Sequence, residues 1–379
     1  MSGDRPEPNV VMFDAAYPPP FRGGKEKQAH LLSRALRELG VGVRVLTLRF
    51  GEGQPGELDG IQVTRCPPGP RRFAAVFGCL RRWRAASNIC HVHTPSRIGV
   101  YVGLVARSLG YRVVFKIPNE NLTVRDGPRR RLWSTVLRSF DRLVVLDEHI
   151  RREYEAAGVD PGRIVLGSNG VVVPERPRPA LEAGRPVQLL FLGRFVEQKG
   201  CRELLGVARW LKEHESGPTA WRLAMMGDGP LEAELRETIG AWGLADRVAL
   251  RSRQDDVYAA LGQADVVVVP SRREGMPNVV LEAMSAGVPV VVTDVGAVRR
   301  LLGDEGDPFV VASNEAASFG EAILTLMRDP ARRAAYGAAL HARARNLFDM
   351  PVIARQYQAL YTQLLASRTS TAPDGAGRG

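Results

Sequence analysis

Strand and helix signals alternate along this chain in two successive runs separated by a proline-rich break, and no other feature narrows the fold as much. The first run opens with the apolar VVMFDAAY, a PPPFRGG turn, and KEKQAHLLSRALREL, a helix closed by Gly40. Strand VGVRVLTL follows, then a helix near 71–86, strand NICHVHTP, helix 97–109, strand YRVVFKI, helix 128–139 and strand RLVVL. Strands joined by helices of about ten or more residues form parallel βαβ units with helices on both faces of the sheet. The break, VPERPRPALEAGRP (173–186), suits a hinge or linker. The pattern restarts with VQLLFLGRF, helix 200–213, WRLAMMG, helix 230–242, RVALR, helix 255–262, DVVVVP, helix 277–286 and VPVVVT. Helices near 315–328 and 330–347 and the amphipathic PVIARQYQALYTQLLA follow.

A chain of 379 residues exceeds one ordinary core. The expected fold is α/β, with two Rossmann-like, doubly wound parallel-sheet domains facing a cleft. The first domain spans 1–178 and the second 179–347. A terminal helix, 348–366, is expected to cross back to the first domain, and the polar tail 367–379 to be disordered. Doubly wound sheets bind ligands outside the carboxyl ends of their strands, so motifs that directly follow strands are where chemistry belongs.

No apolar run reaches the length of a membrane span. The start, MSGDRPEPNVVMF, has no basic stretch followed by an apolar core, which points to a cytoplasmic protein. Cys66, Cys79, Cys90 and Cys201 are scattered without a CxxC, so they read as reduced thiols rather than a metal site or disulfide frame. Net charge is +11, unevenly spread: residues 1–180 hold 29 Lys/Arg against 17 Asp/Glu, and residues 181–379 hold 23 against 24. Within 61–140 the count is 15 against 2. The segment PRRFAAVFGCLRRWRAASN puts Phe73, Val76, Phe77, Leu80 and Trp83 on one helical stripe, with Arg71, Arg72, Arg81, Arg82 and Arg84 around it. Two readings stay open: a helix lying on an anionic membrane surface, extended by Arg129–Arg131, or a core-facing stripe with solvated arginines. No helix-turn-helix, zinc knuckle or aromatic-basic sheet motif accompanies the charge, so no nucleic-acid partner is expected.

The segment SRREGMPNVVLEAMSAGVPVVV (271–292) holds two glutamates, Glu274 and Glu282. Paired carboxylates often serve as acid and base or nucleophile at a glycosidic bond. Here Glu274 falls in the loop before a helix and Glu282 in its second turn, so they do not share a helical face. Pro277 suits the first helical position, and Gly287 with Pro289 ends the helix. The N–H groups of Asn278 and Val279, with Gly275 allowing close approach, form an anion seat suited to a diphosphate. The spacing alone describes an ordinary βα unit with two surface carboxylates equally well. FLGRFVEQKG (191–200) also follows a strand and brings Arg194, a planar fork for phosphate oxygens, and Lys199, a mobile point charge, to the same edge. GDGP (227–230) reads only as a turn.

The stretches GRFVEQKG, MMGDGPLEAEL, ADVVVVPS and EGMPNVVLEAMSAGVPVV, in this order, resemble the donor half of family 4 of the GT-B retaining glycosyltransferases. YPPPFRGGKEKQAHLLSRALRELG, HVHTP and GSNGVVV resemble its acceptor half, so the likeness covers nearly the whole chain. It implies that Glu282 accepts from the ribose hydroxyls of a nucleotide sugar and that Glu274 holds donor-sugar hydroxyls. Arg194 and Lys199 would neutralise the diphosphate, and Arg251–Ser252 would frame the base. Gly24 would admit the backbone to the distal phosphate, and His93 would line the acceptor side. The catalytic set is then Glu274, Lys199, Arg194 and His93, with no metal and no other cofactor. One departure is visible: Pro118, in VVFKIPNENLT, stands roughly where many members carry a histidine. Lys116, Asn119 and Glu120 are the polar candidates nearby, shaping sugar or acceptor choice. The sequon at Asn121–Thr123 carries no meaning in a cytoplasmic protein.

The expected activity is retaining, metal-independent transfer of a sugar from a UDP- or GDP-sugar to an acceptor hydroxyl in cell-envelope polysaccharide or lipid-linked glycan synthesis. The enzyme would be cytoplasmic and peripheral on the inner face of the membrane. The alternatives are transfer to a small natural product such as an aminocyclitol, a nucleotide-sugar epimerase or phosphorylase of the same fold, and a basic scaffold with a degenerate site. The acceptor partner is accordingly a glycan, a glycolipid or a small molecule.

Overall fold

A computed structural model describes residues 7–19, 24–51, 53–93, 95–118, 135–177, 184–215, 221–252 and 256–367. The chain divides into two compact units, Met1–Gly170 with Met350–Gly379, and Val171–Asp349. The division falls at 170/171 rather than at 178/179 because the chain just past Gly170 is bonded into the second unit. Val171 N donates to Phe348 O at 2.9 Å and Val173 N to Asp349 Oδ1 at 3.3 Å.

The first unit carries strands β1 (Asn9–Phe13), β2 (Gly42–Leu48), β3 (Glu57–Leu58), β4 (Ile61–Cys66), β5 (Ile89–Val92), β6 (Arg112–Ile117), β7 (Arg142–Val145) and β8 (Ile164–Leu166). Their order in the sheet is β3-β4-β2-β1-β5-β6-β7-β8. The pairing is parallel except for the β3–β4 hairpin, which turns at Asp59 (φ 49) and Gly60 (φ 73). Alternate residues of each strand face opposite sides, and both sides are covered. Val11, Phe13, Val92, Val113 and Phe115 meet helices α2 (Arg71–Trp83) and α3 (Arg97–Ser108). Val10, Met12, Val45 and Val114 meet α1 (Gly24–Glu38) and the C-terminal helix Met350–Ala366, through Leu32, Leu36, Ile353, Tyr357 and Tyr361.

The second unit carries β9 (Val187–Leu192), β10 (Trp221–Met226), β11 (Val248–Arg251), β12 (Val266–Val269), β13 (Val290–Thr293) and β14 (Val310–Val311), ordered β11-β10-β9-β12-β13-β14 and paired in parallel. Every residue of β12 and β13 is buried, as an apolar strand covered on both faces should be. Chain order reverses between β9 and β12, and in the first unit between β1 and β5, so each sheet has a topological switch point there. The helix expected over 330–347 ends at Arg343 and passes into a wider turn, Ala344–Phe348.

Candidate functional site

At the switch point of the second unit, the loops after β9 and β12 bring Lys199 and Glu274 together. Lys199 Nζ donates to Glu274 Oε1 at 2.5 Å, and Ser271 Oγ donates to the same oxygen at 2.9 Å. The carboxylate is thereby oriented, with its side chain 11% exposed. An ammonium has three N–H donors. Lys199 spends one on Glu274 and, at 27% exposure, keeps room for another partner. Arg194, on the same loop, is exposed.

Glycines set this geometry. Gly200 has φ 69, and a Cβ there would lie 1.9 Å from Pro270 O, so the two loops touch backbone to backbone. Gln198 ties them further: its side chain donates to Arg273 O, and its carbonyl accepts from Arg272 N, both at 2.9 Å. GDGP is more than a turn. A Cβ on Gly227 would meet Gly193 O at 1.8 Å, and Phe195 N donates to Asp228 O at 2.7 Å. Ala297 N donates to Gly275 O at 2.8 Å, which ties the loop after β13 to the same edge.

The next helix, Asn278–Ala286, starts one residue later than expected. Pro277 is its cap rather than its first residue, with extended backbone and no capping side chain. Within its first turn, Val280 N donates to Pro277 O at 3.1 Å. Gly275 is buried, Asn278 and Val279 are half-buried at that first turn, and Glu282 is half-buried one turn further on. Arg251 ends β11 and is exposed, as is Ser252, while Arg251 O accepts from Gly227 N at 3.0 Å. The carboxyl edge of this sheet thus collects three cationic side chains, one fixed carboxylate and a helix N-terminus.

The description "Glycosyl transferase 4-like domain" matches residues 23–170, and "Glycosyl transferases group 1" matches residues 186–329. The chain belongs to family 4 of the GT-B glycosyltransferases. It is 28% identical over 367 residues to a phosphatidyl-myo-inositol mannosyltransferase of Mycobacterium leprae, covering 91% of this chain and 94% of that one. It is 27% identical over 356 residues to a 2-deoxystreptamine N-acetyl-D-glucosaminyltransferase of Streptomyces fradiae, covering 82% and 84%. Among solved structures, Anabaena HepE in complex with UDP superposes with a TM-score of 0.78 at 17% identity, over 94% of this chain and all of that one.

In the first unit of this glycosyltransferase, His93 directly follows β5, at the switch point. Its main-chain N donates to Phe13 O at 2.8 Å, its ring is 3% exposed, and its Nδ1 has no partner among the described residues. Burial, Lys116 and His91 hold its pKa well below the usual value, so the ring is neutral at physiological pH. Lys116 is not at the surface as its place beside a loop suggests. It is 2% exposed, donates from Nζ to Asn169 Oδ1 at 2.9 Å, and sits 5.9 Å from the Tyr357 ring centre. Burial lowers its pKa to about 7, with Asp14 opposing. His91 Nδ1 and the Tyr361 hydroxyl share a 2.7 Å hydrogen bond in the same interior cluster. His91, Asn169, Tyr357 and Tyr361 are not among the residues the motifs single out; the HVH alternation, which sets both histidines on one strand face, is the signal that points to His91.

Gly24 is exposed at the start of α1, and Pro118 is half-buried after β6. Asn119, Glu120, the sequon and Arg129–Arg131 lie outside the described residues. The stripe on α2 divides. Val76 and Leu80 are buried and Trp83 packs partly on the core, whereas Phe73 (38%) and Phe77 (43%) face outward beside exposed Arg71, Arg81 and Arg82. Trp83 and Arg72 are only partly exposed. Among the described residues, no cluster of three or more His, Cys, Asp or Glu could hold a metal ion, and no helix is long and apolar enough to cross a membrane.

Proposed function

We propose that this glycosyltransferase moves a sugar from a nucleoside-diphosphate sugar to an acceptor hydroxyl with retention of anomeric configuration and without a metal ion. The observation that carries the reading is the Lys199–Glu274–Ser271 constellation at the switch point of the second unit. In this reading Arg194 and the remaining donors of Lys199 neutralise the diphosphate, helped by the N–H groups of Asn278 and Val279 and by close approach at Gly275. Glu274, oriented through one oxygen, offers the other to donor-sugar hydroxyls. Glu282 accepts from the ribose, and Arg251–Ser252 frames the base.

The chemistry then needs no protein nucleophile. The departing phosphate oxygen takes the acceptor proton as the new bond forms on the same face, and the cationic groups stabilise the charge that develops on the diphosphate. His93, neutral, acts on the acceptor side as a hydrogen-bond partner and not as a charge. A glycolipid or envelope glycan is the preferred acceptor. This choice is supported by the aromatic-basic face of α2 and by the likeness to a phosphatidylinositol mannosyltransferase. The likeness to a 2-deoxystreptamine transferase favours a small aminocyclitol as the second reading.

The test is a panel of UDP- and GDP-sugars assayed for protection against thermal unfolding, because a ligand that binds only the folded state raises the melting temperature by mass action. The protecting donor is then incubated with acceptors in the presence of EDTA, and the anomer is read by NMR. If no nucleotide sugar protects, the donor assignment is wrong. An inverted product or an EDTA-sensitive rate removes the corresponding part of the mechanism.

A further inference from the structure

A cavity of about 410 Å³ opens on the first unit beside β4. It is lined by Arg49, Gly51 and Gly53–Gly56, between β2 and the β3–β4 hairpin, and by Val63 and Arg65 of β4. Two guanidinium groups, Arg49 and Arg65, share this one cavity. Arg49 is exposed, and no hydrogen bond or ion pair engages its side chain among the described residues. The Arg65 partners are all main-chain carbonyls: Nε donates to Pro55 O at 3.3 Å, Nη1 to Tyr17 O at 3.3 Å, and Nη2 to Pro18 O at 2.8 Å. Neither arginine pairs with a carboxylate among the described residues; Glu52, inside the loop, lies outside them.

Gln54 braces the described part of this segment. Gln54 accepts from Phe50 N at 3.3 Å and donates to Phe50 O at 2.9 Å and to Pro19 O at 3.4 Å. Gly51 (φ 96) and Gly53 (φ 70) adopt left-handed backbone, yet an added Cβ at either would meet nothing within 4 Å. These glycines therefore serve the curvature of the loop, not close packing, and they leave open space beside the arginines. Two like charges on one concave wall, one of them braced only by neutral carbonyls, form a positive well that an oxyanion would fill with paired, charge-assisted hydrogen bonds.

We propose that Arg49 and Arg65, on the walls of this glycine-rich cavity, form a subsite for a carboxylate or phosphate group of the acceptor. That the occupant is the acceptor rests on the transferase reading above; that it is an oxyanion does not. The placement also bears on acceptor size. Arg65 is on β4 and His93 follows β5, three strand positions apart in the order β4-β2-β1-β5. At the usual strand spacing this is about 14 Å, a span of more than one sugar ring. The acidic group would then lie beyond the ring that receives the new sugar, on an oligosaccharide or a phosphate-bearing headgroup.

Calorimetric titration of inorganic phosphate, of glucuronate and of uncharged methyl glucoside tests this. The full chain carries Arg194→Ala and Lys199→Ala, to remove phosphate binding in the second unit, with and without Arg49→Ala. Because loss of Arg65 would also release the Tyr17–Pro18 segment, the exposed Arg49 carries the test. Saturable binding of phosphate or glucuronate, weakened about tenfold by Arg49→Ala at unchanged melting temperature, supports the subsite. Tighter phosphate marks a phosphorylated acceptor, and tighter glucuronate a uronate. Absence of saturable binding by both anions overturns the proposal, as does equal binding of methyl glucoside or indifference to Arg49→Ala. Oxyanion binding in this background, together with no sugar transfer by the unsubstituted chain, would overturn the transferase reading alone.

Discussion

Lys199 and Glu274 meet at 2.5 Å across the two loops that open the switch point of the second unit, and Ser271 holds the same carboxylate oxygen at 2.9 Å. Each partner orients the other, so removing either should cost more than its own contact with the donor. Lys199→Ala and Glu274→Ala are expected to lower kcat/KM by roughly 10²- to 10³-fold, the scale found when one donor to a developing charge is deleted. Glu282→Ala should act mainly on donor KM, since a ribose contact is made equally in ground and transition states. Steady-state kinetics at low donor concentration decides, and full turnover with Lys199→Ala would sink the assignment.

Gly200 is the hinge of that pairing. Its left-handed backbone and the 1.9 Å approach of a Cβ to Pro270 O leave no room for a side chain. Gly200→Ala should destabilise the chain by about 1–3 kcal/mol and weaken donor binding by displacing Lys199 from Glu274. Urea denaturation measures the first effect and nucleotide titration the second. A variant as stable as the parent would show that the loops can part without cost.

What could be read from the sequence follows from how each feature is encoded. DVVVVP and VPVVVT announced buried parallel strands because both faces need apolar residues, and the loops after them were then the places to look. The role of Gly200 is not legible, because it depends on a close approach to Pro270 in a loop seventy residues away, whereas Ser271 reaches Glu274 only three residues on, within one loop. Lys116 reads as a polar residue near a loop, but alternation in a strand covered on both faces cannot say that a lysine points inward. The α2 stripe was legible as a stripe. Which part of it is covered depends on α3, whose Tyr101 ring meets Phe73 edge-on at 4.8 Å. The β3–β4 hairpin has strands too short for periodicity, although Asp59–Gly60 is the turn pair that marks one.

The interior cluster of the first unit should make stability depend on pH in a particular direction. Burial lowers the Lys116 pKa from 10.5 to about 7 and the His91 pKa from 6.5 to about 3. Between the folded and unfolded values the unfolded chain binds more protons, so stability rises with pH across both windows. The cost of burying the Lys116 charge is fully present below pH 7 and is relieved as pH rises towards 10.5. Lys116→Met should therefore remove the Lys116 contribution to the rise between about pH 7 and 10, while an acid limb set by the buried His91 and His93 remains. Chemical denaturation of both proteins across pH 4–10 reads this directly, and parallel curves above pH 7 would mean that Lys116 keeps its ordinary affinity for protons.

Phe73 and Phe77 project from α2 beside Arg71, Arg81 and Arg82, while Val76 and Leu80 of the same helix fill the core. The helix can thus lend aromatic rings and positive charge to a lipid surface without exposing its packing residues. Each arginine near an anionic leaflet contributes about 1 kcal/mol, which corresponds to about fivefold in partitioning. The intact protein should co-sediment with vesicles containing phosphatidylglycerol and not with pure phosphatidylcholine. Arg81→Ala and Arg82→Ala together should weaken the association by about 25-fold if the two add, and Phe77→Ala should weaken it further, all at unchanged melting temperature. Raised salt should mimic the arginine changes but not the phenylalanine change, because only the charges are screened. A protein that stays in the supernatant with every vesicle would leave α2 as a solvated helix and move the acceptor assignment to the small soluble aminocyclitol.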